Sequence, residues 1–379
     1  MTKYDAVRKS EIIQLLDKNT ELEDEIFNAF SGEEFANSSE ELRISNLRDV
    51  FELLIPKTTW IKEDYVKQNK DLSIVGVRED KNGEPQLIIS LDGVNNTFIT
   101  TSEAVGHLFV NYRMNHYAKY MLSAHDEHLD QLLINFEYWF KEKCPDDNIL
   151  VRTVIEDGTP IVRCFATPAY KPIDNHVLLY ISLWALEQLP TKFHLALSRI
   201  DHSSMKLDFV SEEDIEIKGI GTLSYGFTLV NGEDKSKTVG FHPTFDLVNL
   251  DGTSTTLVLD KPVKIVHRGK SLEPIMRSLD ELKDIRTHID WVIGVIRVAH
   301  TAKIDDVFAY KIQQEIIKII GPTRFNKFAP KFNEISSNNA YNLLQFFGRL
   351  NEIDVPDEDE AIKIKVLFWK FMRDRTNKN

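Results

Sequence analysis

The chain has 379 residues, 42% of them hydrophobic and 28% charged, and 46 Lys and Arg stand against 59 Asp and Glu for a formal net charge of −13. That length allows two domains or one large one with core size not limiting, and no apolar run approaches the ~18–20 residues of a membrane span. The opening MTKYDAVRKSEIIQLL is too charged for a secretory signal, and Cys144 and Cys164 belong to no CxxC or Cys/His array. A cytoplasmic protein with no membrane partner, disulfide framework or cysteine zinc site is therefore expected.

Residues 1–56 hold 6 basic and 13 acidic side chains, with Ile12, Leu15, Leu22, Ile26 and Phe30 at helical spacing, and read as an acidic helical arm. A second helix is expected over 40–54, capped by Ser38 or Ser39 and stopped before Pro56. From Leu72 the texture becomes strand and turn, with Asn82-Gly83 and Asp92-Gly93 as turns. Thr100, Thr101 or Ser102 then caps a helix through Leu108 and Tyr112, and another helix covers 129–143.

The stretch NILVRTVIEDGTPIVRCFAT is two apolar runs about Asp157-Gly158, a hairpin signal. It leads through Pro168 and Pro172 into a helix from Asn175 to Leu189, and further strands run to about residue 268. From 272 to the end the periodicity is helical over 272–303, 307–320, 337–350 and 359–373, with GPTRFNKFAPK read as a loop. The fold class is α+β: a central, mostly antiparallel curved sheet with an N-terminal helical arm and a C-terminal helical block. Three segments follow, 1–60 as the acidic arm, 61–268 as the α+β core domain and 269–379 as the C-terminal helical region.

VRCFATPAYKPIDN is the most distinctive segment. Pro168 and Pro172 fix an extended elbow between strand and helix, Asp174 or Asn175 is placed to cap that helix, and Arg163, Tyr170 and Lys171 add cations and a hydroxyl. A rigid, well-capped elbow explains most of these residues. The segment also resembles a phage/plasmid-like protein family of unknown function, whose members carry V-R-A-hydrophobic-S-x-x-Y-x-P-hydrophobic-D-N, matched at Val162, Arg163, Tyr170, Pro172, Asp174 and Asn175. LVRTV is similar to that family's Leu-Arg strand and LLINFEYWF to its Asn-x-x-x-Trp helix. Val230-Asn231-Gly232-Glu233 is similar to its Asn-Ser-Glu turn, with Gly in place of Ser, and the family's Cys-Thr-Asn-Gly turn is absent. The likeness covers roughly 97–268 and implies a phage or mobile-plasmid setting, in a host cytoplasm, without implying an activity.

Other motifs point away from catalysis. His116, His125 and His128 offer no i, i+4 zinc pair with a third ligand, so no metal is expected. Gly219-Ile220-Gly221 lacks a third glycine, and neither a P-loop nor GxSxG occurs, so no cofactor and no enzyme activity are expected. A metal-dependent nuclease built from scattered carboxylates is the weakest alternative.

Divided by region, the charge is uneven: 16 basic against 26 acidic side chains over 1–145, 9 against 17 over 146–260, 14 against 8 over 261–331 and 7 against 8 over 332–379. The basic stretch interleaves its cations with Trp291, Phe308, Tyr310, Phe325 and Phe328, a composition suited to single-stranded nucleic acid. Intramolecular pairing with the acidic arm is the competing explanation. The expected function is a non-enzymatic phage or plasmid protein that binds single-stranded nucleic acid in replication, recombination or transfer, as an oligomer. Phosphate contacts are expected from Arg163, Lys171, Lys264, Arg268, Lys270, Arg324 and Lys327, with Tyr170 stacking or ordering the elbow. The alternative is a phage structural or host-interaction assembly protein, with the acidic arm and the C-terminal helices engaging partner chains.

Overall fold

The structure is a computed structural model that describes residues 6–17, 20–81, 83, 85–110, 113–123, 129–235, 239–259, 263–265, 284–338, 340–351, 355 and 358–376. Its N-terminal arm begins with a 3-10 turn, Lys9–Leu15, followed by α1 (Glu21–Ala29) and α2 (Gly32–Ala36). Thr20 caps α1 by accepting from the Glu23 N–H at 3.2 Å. The helix expected over 40–54 is shorter. Asn46 takes a positive φ of 60°, so a two-residue strand β1 (Ile44–Ser45) precedes α3 (Arg48–Leu54).

The remaining strands divide between two sheets. The six-stranded sheet runs in the order β2 (Ile61–Gln68), β6 (Asn148–Glu156), β7 (Thr159–Ala166), β5 (Thr97–Thr100), β4 (Pro85–Leu91), β3 (Leu72–Glu79). Asp157 and Gly158 both take positive φ, 49° and 76°, which joins β6 to β7 by the short hairpin read from the sequence. This sheet is covered by α4 (Ser102–Val110), α5 (Asn115–Ser123) and α6 (Leu129–Glu137), which continues as a π-type turn over Tyr138–Lys143. Thr101 caps α4 by accepting from the Ala104 N–H. Phe136 stacks on Phe140 at 4.4 Å, and Phe109 meets both rings edge-on.

β7 feeds through the proline elbow into α7 (Asn175–Glu187), apolar on every side and buried almost throughout. The eight-stranded sheet follows: β1, β8 (Phe193–Ile200), β9 (Ser204–Ser211), β11 (Gly221–Gly232), β12 (Val239–Asn249), β13 (Ser254–Val258), with β10 (Ile215–Ile217) paired to β11 and β14 (Val263–Ile265) to β12. Pairing is antiparallel except at β1 with β8 and β5 with β7. The C-terminal part is helical over Ile289–Thr301, Asp306–Ile320, Pro322–Ser336, Leu343–Asn351 and Glu358–Thr376. The α+β class with helices at both ends is thus present, with its strands shared between two mixed sheets.

GPTRFNKFAPK is a helix and not the loop expected. Pro322 occupies the first helical turn, where its missing N–H costs nothing. Phe325 and Phe332 are buried at helical spacing, which holds the segment helical past the interior Pro330.

One core joins the arm (Ile12, Leu15, Ile26, Phe30), α7, the eight-stranded sheet and the C-terminal helices (Phe347, Phe368, Trp369), so it draws on all three segments expected from the sequence. The second core lies between the six-stranded sheet and α4–α6. The arm is pinned to α7: the Tyr180 hydroxyl donates to the Phe30 carbonyl at 2.9 Å, and the Glu187 carboxylate accepts from the Arg43 backbone N–H at 2.6 Å and lies 3.3 Å from the Lys9 ammonium.

Candidate functional site

Arg152 and Arg163 are lone cations in apolar strands, LVRTV and IVRCFA, and expose 1% and 0% of their surface. A guanidinium removed from water needs paired charge. Arg152 donates from Nε to the Asp64 carboxylate at 2.9 Å, from Nη2 to Asp174 at 2.7 Å and from Nη1 to the Glu233 backbone carbonyl at 2.8 Å. Arg163 pairs through Nη1 with the Glu233 carboxylate, which also accepts from Lys62 Nζ at 2.7 and 2.8 Å. Three cations, Lys62, Arg152 and Arg163, therefore face three carboxylates, Asp64, Asp174 and Glu233.

Glu233 is the centre of this cluster. Its carboxylate also accepts from the Asn175 N–H at 2.8 Å, at the positive end of the α7 dipole. Asp174 stands at the N-cap position of α7 with extended dihedrals but makes no side-chain cap bond, its carboxylate being turned to Arg152. Capping by Asp174 or Asn175, expected from the sequence, is thus supplied from another element by Glu233. Asn175 instead accepts from Asn231 Nδ2 at 2.8 Å, and the Tyr170 hydroxyl donates to the Glu233 carbonyl at 3.4 Å.

Burial pushes the Asp174 carboxyl upward, but Arg152, Arg163 and Lys62 outweigh it and hold its pKa well below the usual range. Glu233 is lowered in the same way against burial and the nearby Asp174. Asp64, where burial prevails over Arg152, is raised. A depressed carboxyl contributes stability that is complete above its unfolded pKa of about 4 and is lost as pH falls through the folded value. The thermal midpoint is therefore expected to drop as pH is lowered from about 5 towards 2, with Asp64 offsetting part of the loss. Melting curves across that range check it, and a midpoint unchanged to pH 2 would contradict the pairing.

Chemically the cluster is a joint. It ties β2, β6 and β7 of one sheet to the end of β11 in the other through the start of α7. Cys164 beside it has its thiol pushed up to about 11 by burial, which leaves no thiolate nucleophile. Among the described residues no group of three or more His, Cys, Asp or Glu side chains could hold a metal ion. A cavity of about 410 Å³ opens over the joint, lined by Thr20, Glu23, Trp60, Lys62, Arg152 and His176, with His176 Nε2 3.0 Å from Glu23.

The residues expected to meet phosphates are dispersed. Arg163 is corrected to a structural role, since a fully buried guanidinium held by Glu233 presents nothing to a polyanion. Tyr170 is half-buried under the Lys235 ammonium, 5.8 Å from its ring, and orders the elbow instead of offering a stacking face. Pro168 and Lys171 are exposed on that elbow and Pro172 is half-buried. Arg324 is engaged by Glu360 through two bonds of 2.7 and 2.5 Å, and Lys327 is exposed on the same helix. Lys264 lies in β14 opposite Gly240, while Arg268 and Lys270 lie outside the described residues. His116 is exposed, and His125 and His128 also fall outside the described residues.

A different face of the basic stretch is open. Tyr310 is 60% exposed and Val307 65% on the helix Asp306–Ile320, and Tyr310, Lys311 and Gln314 face Leu367, Lys370 and Phe371 of the helix Glu358–Thr376 across a groove of about 360 Å³. Lys311 and Lys370 form no ion pair among the described residues, whereas the acids beside them do: Glu315 with Lys318 at 2.5 Å and Asp374 with Arg373 at 3.4 Å. Tyr310 and Lys311 belong to the basic stretch singled out in the sequence; Lys370 lies beyond it and is brought in only by the fold. Nothing in the sequence marked Glu233 as the partner of Arg163, 70 residues away.

Comparisons of the chain with protein-family models, with curated proteins and with solved structures give no match. No described helix is long and apolar enough to cross a membrane.

Proposed function

We propose that the protein is a non-enzymatic binder of single-stranded nucleic acid, acting in replication, recombination or transfer of a phage or plasmid, and that the contact face is the groove of Tyr310, Lys311, Lys370 and Phe371. The observation that carries the reading is an open tyrosine flanked by two lysines that form no ion pair among the described residues. Base stacking on an aromatic ring contributes about 1–3 kcal/mol per base, and lysines track the phosphates. The phage or plasmid setting rests on the resemblance at VRCFATPAYKPIDN; several of its residues, Arg163, Tyr170, Asp174, Asn175 and Glu233, converge on one joint.

Assembly through the acidic arm and C-terminal helices has less support, because Ile12, Ile26, Phe30, Ile364, Phe368 and Trp369 are buried in the chain's own core. The test is fluorescence anisotropy with labelled oligothymidylate at two salt concentrations. Tyr310→Ala is expected to weaken binding by about 1–3 kcal/mol. Lys311→Glu with Lys370→Glu should weaken it at low salt and flatten the log–log salt slope by about 1.4, two phosphate contacts at ~0.7 each. No binding by the unaltered chain at low salt would end the proposal, and oligomers that dissociate on Tyr310→Ala without any DNA binding would establish the assembly reading.

A further inference from the structure

Between the eight-stranded sheet and the C-terminal helices lies a second cavity, of about 340 Å³. Its helical wall is largely apolar, including Ile316, Phe328, Ile364 and Phe368, while the strands β8 and β9 turn Arg199, Lys206 and Asp208 into it and Lys365 enters from the last helix. A chamber of this size with one apolar wall and convergent polar groups opposite it has the form of a small-molecule site.

The charges at its polar end are unevenly matched. Lys206 Nζ is 3.5 Å from Asp208, whose other claim is the Thr228 hydroxyl at 2.6 Å. Lys365 is half-buried and forms no salt bridge with a described residue. Burial and the Lys206 ammonium lower its pKa against the pull of Asp208 and Asp246, so its charge is under-compensated where it stands. An anion placed beside Lys365 would offset its charge and its repulsion from Lys206.

We propose that this cavity binds a small amphipathic carboxylate, a medium-chain or aromatic acid, with the carboxylate on Lys365 and Lys206 and the apolar body against Phe328, Ile364 and Phe368. The site lies on a different flank of the helix Glu358–Thr376 from the proposed nucleic-acid face, in that Lys365 and Phe368 line this cavity and Lys370 and Phe371 line that groove.

Isothermal titration with octanoate and with octan-1-ol tests it. Octanoate should bind more tightly than octanol. Lys365→Met should weaken octanoate about tenfold or more, the worth of a charge-assisted bond, leave octanol unchanged and leave oligothymidylate binding unchanged, while Lys365→Arg should retain octanoate. Equal affinity of the acid and the alcohol, no binding of either, or unchanged octanoate binding in Lys365→Met would overturn the proposal. Retained octanol binding shows that the variant is folded.

Discussion

Replacing Glu233 with Gln is expected to cost about 3–5 kcal/mol of folding stability, the range found when one member of a buried ion pair is removed and its partner left behind. Gln keeps the size of the side chain and one acceptor oxygen, so the change isolates the charge. Without it Lys62, Arg152 and Arg163 face only Asp64 and Asp174, and the Asn175 N–H at the start of α7 loses its charged acceptor. Arg163 has most to lose, since its Nε and Nη2 find no hydrogen-bond acceptor among the described residues and its Nη1 relies on Glu233 and the His202 carbonyl. Adding Arg163→Met should restore part of the loss, because an apolar side chain of similar length removes the stranded charge. Urea denaturation of the two single variants and the double variant measures the coupling. A loss below about 1 kcal/mol for Glu233→Gln would show that the joint does not depend on this charge.

How much of this could be read from the residues follows from where the informative contacts lie. The Asp157-Gly158 hairpin, a cap among Thr100, Thr101 and Ser102, which falls on Thr101, and helices over 307–320 and 359–373 are set by neighbours in sequence and legible there. The division of the strands into two sheets was not, because it depends on pairings such as β5 with β7 across some sixty residues. Arg152 and Arg163 did carry a usable sign: each interrupts a nearly unbroken apolar run, and such runs belong to strands buried on both faces. A cation there is structural unless a cavity reaches it. For Arg163 the sequence favours a phosphate contact because its opposing acid, Glu233, comes from a separate element. The segment 322–336 failed for a different reason. Gly321-Pro322 reads as a break and the stretch after it as a loop, while the spacing of Phe325, Phe328 and Phe332 already describes a helix face.

Gly226→Ala is expected to cost more than about 3 kcal/mol, above what overpacking usually costs, and to reduce the yield of folded protein. Gly226 sits in β11 between β9 and β12, opposite Val210 on one side and Thr244 on the other. A Cβ there would lie 1.9 Å from the Phe209 carbonyl oxygen. That atom is backbone in a paired strand, and the Phe209 ring packs on Phe227 at 5.0 Å, so it can retreat only by opening the β9–β11 pairing. Gly294→Ala supplies the contrast. Its Cβ would meet nothing within 4 Å in the helix Ile289–Thr301, and there alanine should stabilise by about 0.5–1 kcal/mol through helix propensity alone. Thermal melts of the two variants should therefore move in opposite directions. If Gly226→Ala melts within a degree or two of the unaltered protein, β9 and β11 are not held in this register, and the Glu233 joint at the end of β11 would have to be reconsidered with it.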